Sequence, residues 1–156
     1  MKIWPDMGQW RSAFAVALPA LLIVAVLGFL GGWLSWDPVE NIVPAIKLAL
    51  ILFIVPALLE ELVFRGILLA WLARLTPRWA AWISTVLFVL WHPLQAVTIA
   101  PPWSAIFLQP TFLLAMLIFG VILSHIRIVT KSLWPVIIIH WIAVLVWKLL
   151  LGGPSL

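Results

Sequence analysis

From Ser12 to Trp33 the chain runs 22 residues without a charged side chain. Roughly 20 apolar residues of helix cross the hydrocarbon core of a bilayer. Four more apolar segments follow, at about Asn41 to Leu72, Trp79 to Ile99, Trp103 to His125 and Ser132 to Leu151. The fold class is therefore all-α, a polytopic transmembrane helix bundle of about five spans. Residues 1–156 read as a single integral membrane domain. Only 9% of the chain is charged, against about 25% in a soluble domain. Such a chain could not cover its surface with polar groups in water, but in lipid the outside can stay apolar. Twelve Trp and no Tyr fit the interfacial belts of a membrane protein.

The first segment is too long for a signal peptide and runs into Gly31-Gly32-Trp33 rather than a small-x-small cleavage site, so it reads as a retained anchor. No cysteine is present, which excludes disulfides and thiolate metal sites. The net charge of +4 is spread over span ends, with no basic stripe for nucleic acid. Basic residues fall in alternate loops. Lys2 and Arg11 precede the first span, Arg74 and Arg78 follow the second, and Arg127 and Lys131 follow the fourth. The loops with Asp37 and Glu40, and with Pro101-Pro102, carry no Lys or Arg. The positive-inside rule then puts the N-terminus inside and the C-terminus outside. Lys47 and Lys148 fall near the outer ends, where they can snorkel to the interface. The second segment is too long for one straight crossing, because about 32 helical residues would reach on the order of 48 Å. Pro56 removes a helical hydrogen bond and predicts a kink or break.

Just beyond that proline the sequence reads Leu59-Glu60-Glu61-Leu62-Val63-Phe64-Arg65-Gly66. A charge at the centre of a span costs about 2.5–3.5 kcal/mol on insertion scales. Glu61 and Arg65 are four apart and share a helix face, so they can pair. Glu60 lies about 100° round the helix and is left without that partner. An unpaired carboxylate in apolar surroundings holds a proton more tightly than one in water, as a general base near neutral pH requires. Two histidines can meet it. From the inner ends of their segments, Glu60 and His92 are each roughly 20 Å deep and His140 roughly 12 Å. The bland alternatives are an ion pair tying two helices and histidines bonding helix to helix. His125, beside Arg127 at a span end, reads as structural.

Glu60-Glu61-x-x-x-Arg65-Gly66, then Phe88-x-x-x-His92, then Phe119-Gly120 and Ser132-Leu133-Trp134-Pro135 leading to His140, resemble in order the motifs of the CAAX protease and bacteriocin-processing family of intramembrane proteases. The resemblance places a catalytic core over about residues 55–148. It implies an intramembrane endopeptidase that hydrolyses a peptide bond of a membrane-attached peptide or protein substrate. Glu60 would activate water with help from His92, His140 would bind the developing oxyanion, and Glu61 and Arg65, with Phe88, would support the site. A bacterial inner (cytoplasmic) membrane follows as the expected location. The His140-Trp141 pattern is similar to members associated with bacterial C-terminal protein sorting.

One position departs from the family pattern. A polar residue is expected four places after His140, and Val144 stands there. Ser84, Gln95 and Gln109 are the other polar candidates. Glu60, His92 and His140 also make up a donor set that zinc could use. No His-Glu-x-x-His motif is present, and a metal-free route needs only a base and an oxyanion hole. The metal-free route is the expectation and zinc the alternative. Two other functions fit the same charges: a non-catalytic membrane immunity or scaffold protein, and a small transporter or proton relay.

Overall fold

The computed structural model describes residues 4–99 and 101–154. Lys2, counted above among the N-terminal charges, lies outside them. The described residues form helices and connections, with a single isolated bridge, Asp37 to Leu151, and no strand.

Helix α1 is Met7–Leu30. It starts a turn earlier than hydropathy suggests, because Asp6 caps it. Asp6 Oδ1 accepts from the Gln9 amide at 2.9 Å, and Gln9 Oε1 accepts from the Asp6 amide at 3.0 Å. This reciprocal box satisfies two amides that a helix start leaves without partners. Gln9 Nε2 also donates to the Thr130 carbonyl at 3.2 Å, which ties the start of α1 to the end of the helix it lies against.

Helix α2 is Ile42–Leu52. The chain then leaves helical geometry at Val55 (φ −126°, ψ 114°), before Pro56. The expected interruption is therefore a break in the rod. Helix α3 covers residues 59–75, with a widened π-type stretch at Leu62–Leu68. Helix α4 is Ala80–Thr98. The fourth apolar segment differs from its expected bounds. Pro102–Leu108 is a 3-10 turn, and helix α5 is Pro110–Thr130. Gln109 is extended and Pro110 opens the helix, a position where the missing N–H of proline costs nothing. Helix α6 is Trp134–Leu150.

Three helices, α1, α4 and α5, are long and apolar enough to cross a membrane, and α6 is a shorter apolar helix of 17 residues. Their outer faces are apolar as well. Leu18, Leu22, Val26 and Leu30 of α1, and Val86, Leu90, Leu94 and Val97 of α4, are exposed. A large apolar exterior is untenable in water and natural in lipid, so the chain is an integral membrane protein. Inside, Ala13 and Ala17 of α1 meet Phe119, Leu123 and Ile126 of α5 and Val136 and Ile139 of α6. Small residues let helix backbones approach closely, which is how helices associate where the surroundings are as oily as the contact.

The segment after α1 closes one end of the bundle. The amides of Ser35, Asp37 and Val39 donate to the carbonyls of Leu151, Leu150 and Leu149 at 3.3, 3.0 and 2.9 Å. Terminal carbonyls of α6, which have no partner within the helix, are satisfied this way. Gly152 (φ +67°) turns the chain back beyond them.

The close approach of α1 has a measurable consequence. Ala17 is 1% exposed, so Ala17→Leu overpacks the contact and is expected to cost about 1–3 kcal/mol. Unfolding in detergent micelles measures it, and an unchanged midpoint would contradict the tight α1 contact.

Candidate active site

The adjacent acids of α3 divide as their helical positions require. Glu61 and Arg65 are fully buried, and Arg65 Nη1 donates to Glu61 Oε1 at 3.1 Å. The guanidinium reaches further. Its Nη2 donates to the Gly120 carbonyl at 3.3 Å, and its Cζ lies 4.0 Å from the centre of the Phe88 ring. Gly120 is required for this approach. A Cβ there would lie 2.9 Å from Thr85 Cγ2 and 3.2 Å from Arg65 Nη2.

The same Glu61 oxygen has a second partner. His140 Nδ1 lies 2.8 Å from Glu61 Oε1. Since a carboxylate only accepts, the ring donates from Nδ1 and keeps Nε2 for other chemistry. His140 is thus level with the acids of α3, although counting along the segments had placed it shallower. Packing of α6 against the broken rod removes the difference. Glu61 therefore orients an imidazole as well as holding Arg65.

Glu60 is half-buried and faces α4. Its Oε1 accepts from Trp91 Nε1 at 3.2 Å and from Gln95 Nε2 at 3.3 Å. Its Oε2 is buried without a hydrogen-bond partner. Glu60 has no cation beside it among the described ion pairs, but it is not the solitary carboxylate expected, because two neutral donors fix one oxygen. Trp91 was missed in the sequence, and Gln95 appeared there only as a candidate without a place. Their spacing held the signal. Trp91 and Gln95 are four apart and so share a face of α4, next to the face of His92.

His92 is buried, and its Nδ1 lies 2.9 Å from the Phe88 carbonyl. The carbonyl can only accept, so Nδ1 carries hydrogen and Nε2 of the neutral ring has a free lone pair. Phe88 is wholly buried between the two imidazoles. Its ring centre is 4.9 Å from that of His92 and 6.2 Å from that of His140, edge-on to both. Glu60, His92 and His140 line one cavity of about 650 Å³. Its other walls come largely from apolar side chains of α1, α3, the 3-10 turn, α5 and α6.

The remaining polar candidates are placed elsewhere. Ser84 is spent on the Phe64 carbonyl at 2.7 Å, tying α4 to α3. Gln109 precedes α5 without a side-chain capping bond and is not part of the cavity wall, and His125 is exposed away from it. Val144 does line the cavity and offers no donor there. No group of three His, Asp or Glu among the described residues is arranged to grip a metal ion. Glu60, His92 and His140 share a cavity without forming such a group.

Removing one partner of a buried ion pair costs about 3–5 kcal/mol. Glu61→Leu and Arg65→Met should each destabilise by that order, and the double variant by clearly less than the sum. A double-mutant cycle on unfolding in micelles measures the coupling. Additive losses would mean that the pair is not the tie described here.

A family model described as type II CAAX prenyl endopeptidase Rce1-like matches residues 42–146, from the start of α2 to near the end of α6. No curated protein and no solved structure matches the chain. The match takes in the charged stretch of α3, both cavity histidines and the break before Pro56, about two thirds of the sequence. The chain belongs to the Rce1-like family of type II CAAX prenyl endopeptidases.

Proposed function

We propose that the chain is an intramembrane endopeptidase that cuts a membrane-attached peptide with water activated by Glu60. The observation that carries this reading is the single cavity lined by Glu60, His92 and His140, in which Glu60 keeps one buried oxygen without a partner. The Glu60 carboxylate and Nε2 of His92 are proposed as the two acceptors that a nucleophilic water needs. Glu60 takes a proton from the water as the hydroxide attacks the scissile carbonyl carbon. The carbonyl oxygen gathers negative charge and accepts a hydrogen bond from His140 Nε2–H, with Glu61 beside the ring as the counter-charge to its second proton. The proton held by Glu60 passes to the amide nitrogen, the C–N bond breaks, and an acid and an amine leave. Each role needs only a base and a donor to the oxyanion, so the reaction is proposed as metal-free.

Val144 leaves the oxyanion with one side-chain donor fewer than the family pattern supplies. Loss of one such donor typically costs about 10²–10³ in rate. A slow enzyme follows. The same valine is what favours the second reading, a non-catalytic scaffold that keeps the motif residues only as helix ties.

The five expected crossings are proposed as α1, the broken α2–α3 pair, α4, α5 and α6, with the N-terminus on the inner side of a bacterial cytoplasmic membrane. Val55, Leu59 and Val63 line the cavity and are exposed. Substrate is proposed to enter there, from the lipid side.

Glu60→Gln preserves shape and removes the base, so peptide cleavage by purified protein should fall by about 10²–10⁴ with an unchanged unfolding midpoint. Full activity in that variant would sink the proposed reaction, and retained partner binding without any wild-type cleavage would favour the scaffold. Treatment with a strong zinc chelator should leave the rate unchanged. Loss on chelation, restored by zinc, would replace the metal-free route.

A further inference from the structure

Val144 takes a hydrogen-bond donor away from the α6 wall of the cavity, and the α4 wall carries one that the proposed chemistry does not use. Gln95 of α4 lines the cavity and is half-buried there. Its Nε2 gives one N–H to Glu60 Oε1 at 3.3 Å. A side-chain amide has a second N–H, and for Gln95 that one has no protein partner among the described hydrogen bonds. The level of Gln95 matches the level of the missing donor. His92 and His140 both stand edge-on to Phe88, with ring centres 4.9 and 6.2 Å from it, so α4 and α6 are in step at that point. The two helices also run in the same direction. Lys148, expected from the sequence to snorkel outward, is 5% exposed, and its Nζ lies 4.2 Å from the ring centre of Trp103, which follows α4. Gln95 is three residues beyond His92, roughly 4.5 Å along the axis, and Val144 is four beyond His140, roughly 6 Å. Both positions therefore lie about one turn past the imidazoles, on two walls of one cavity.

We propose that Gln95 is a further catalytic residue of this chain: its second N–H donates to the oxyanion beside His140 Nε2–H, and so supplies from α4 the hydrogen bond that the family pattern places at the position of Val144. The inference rests on the protease reading above and adds one contact to the reacting atoms. As the water oxygen bonds to the carbonyl carbon, its proton goes to Glu60 and the carbonyl electron pair moves onto oxygen. One N–H of Gln95 orients the base, and the other meets the charge that forms. The rate loss expected from Val144 alone is thereby offset. The competing role for Gln95 is to hold Glu60 and nothing more. Trp91 Nε1 already donates to the same carboxylate oxygen at 3.2 Å, so Glu60 keeps a restraint when Gln95 is replaced. The two roles then separate, because a donor to the oxyanion acts on the transition state and leaves the ground state almost untouched.

The test measures two ligands by calorimetry on the intact chain in neutral detergent. One is an N-acetylated, amidated peptide of four leucines. The other is the same peptide with its central amide replaced by a phosphonamidate, whose P–O⁻ stands where the oxyanion forms. Transition-state analogues bind about 10²-fold tighter than substrates or better, and the wild type should show a preference of that order. Gln95→Met keeps the length of the side chain and removes the donor. It should weaken the phosphonamidate about tenfold or more and leave the amide almost unchanged, with the unfolding midpoint preserved. Gln95→Asn, which withdraws the amide by one methylene, should show the same selective loss. Adding Val144→Asn to Gln95→Met should recover most of the lost preference, because a donor returns on α6. An unchanged preference in both Gln95 variants, an equal loss for the two ligands, or no recovery with Val144→Asn would overturn the role of Gln95 and leave Glu60 standing as the base. A wild type with no preference for the phosphonamidate would instead remove the oxyanion site, and the protease reading with it.

Discussion

One carboxylate oxygen, Oε1 of Glu61, holds the interior together. It takes hydrogen bonds from Arg65 of its own helix and from His140 of α6, while Arg65 reaches the backbone of α5 at Gly120. Three helices are thereby locked at one depth by groups with no access to water. In a low dielectric such bonds are strong, and a missing partner is correspondingly costly. Apolar packing alone gives little preference for one register between oily helices in oily surroundings. The buried charges specify the register, and the imidazole of His140 is placed as part of the same network.

Two adjacent acids on one helix do opposite work because about 100° separates them. Glu61 faces the helix contacts and is consumed there. Glu60 faces the cavity, where Trp91 and Gln95 fix one oxygen and leave the other buried without a partner. Neutral donors orient a carboxylate without neutralising its charge. The widened stretch Leu62–Leu68 begins directly after this pair and contains Arg65. Such local widening is frequent at functional sites, where it re-aims side chains that a regular helix would point elsewhere.

The break before Pro56 serves the same cavity. A straight rod through residues 42–75 would present one continuous wall, whereas the turn at Val55 (φ −126°, ψ 114°) puts α2 against α6 and leaves α3 to face α4. The non-helical backbone suits the proposed second crossing because its residues help line the cavity. The apolar exterior and polar interior are therefore two outcomes of one rule. Groups that need partners are gathered inside, and the faces toward lipid need none.

The all-helical class, the proline interruption and the Glu61–Arg65 pair were legible in the sequence, because each follows from spacing along one segment. Charge-free runs must satisfy their backbone within themselves, residues four apart share a face, and proline cannot donate. Even there, local chemistry moved the edges, as the Asp6 cap and the Pro110 start show. What joins different segments was not legible. The bond from His140 to Glu61, the two donors on Glu60, the burial of Lys148 and the position of Val144 in the cavity wall all depend on helix rotation and relative depth. A sequence records neither quantity. They are set by packing between helices, where small residues such as Gly120 and Ala17 decide how near two backbones can come.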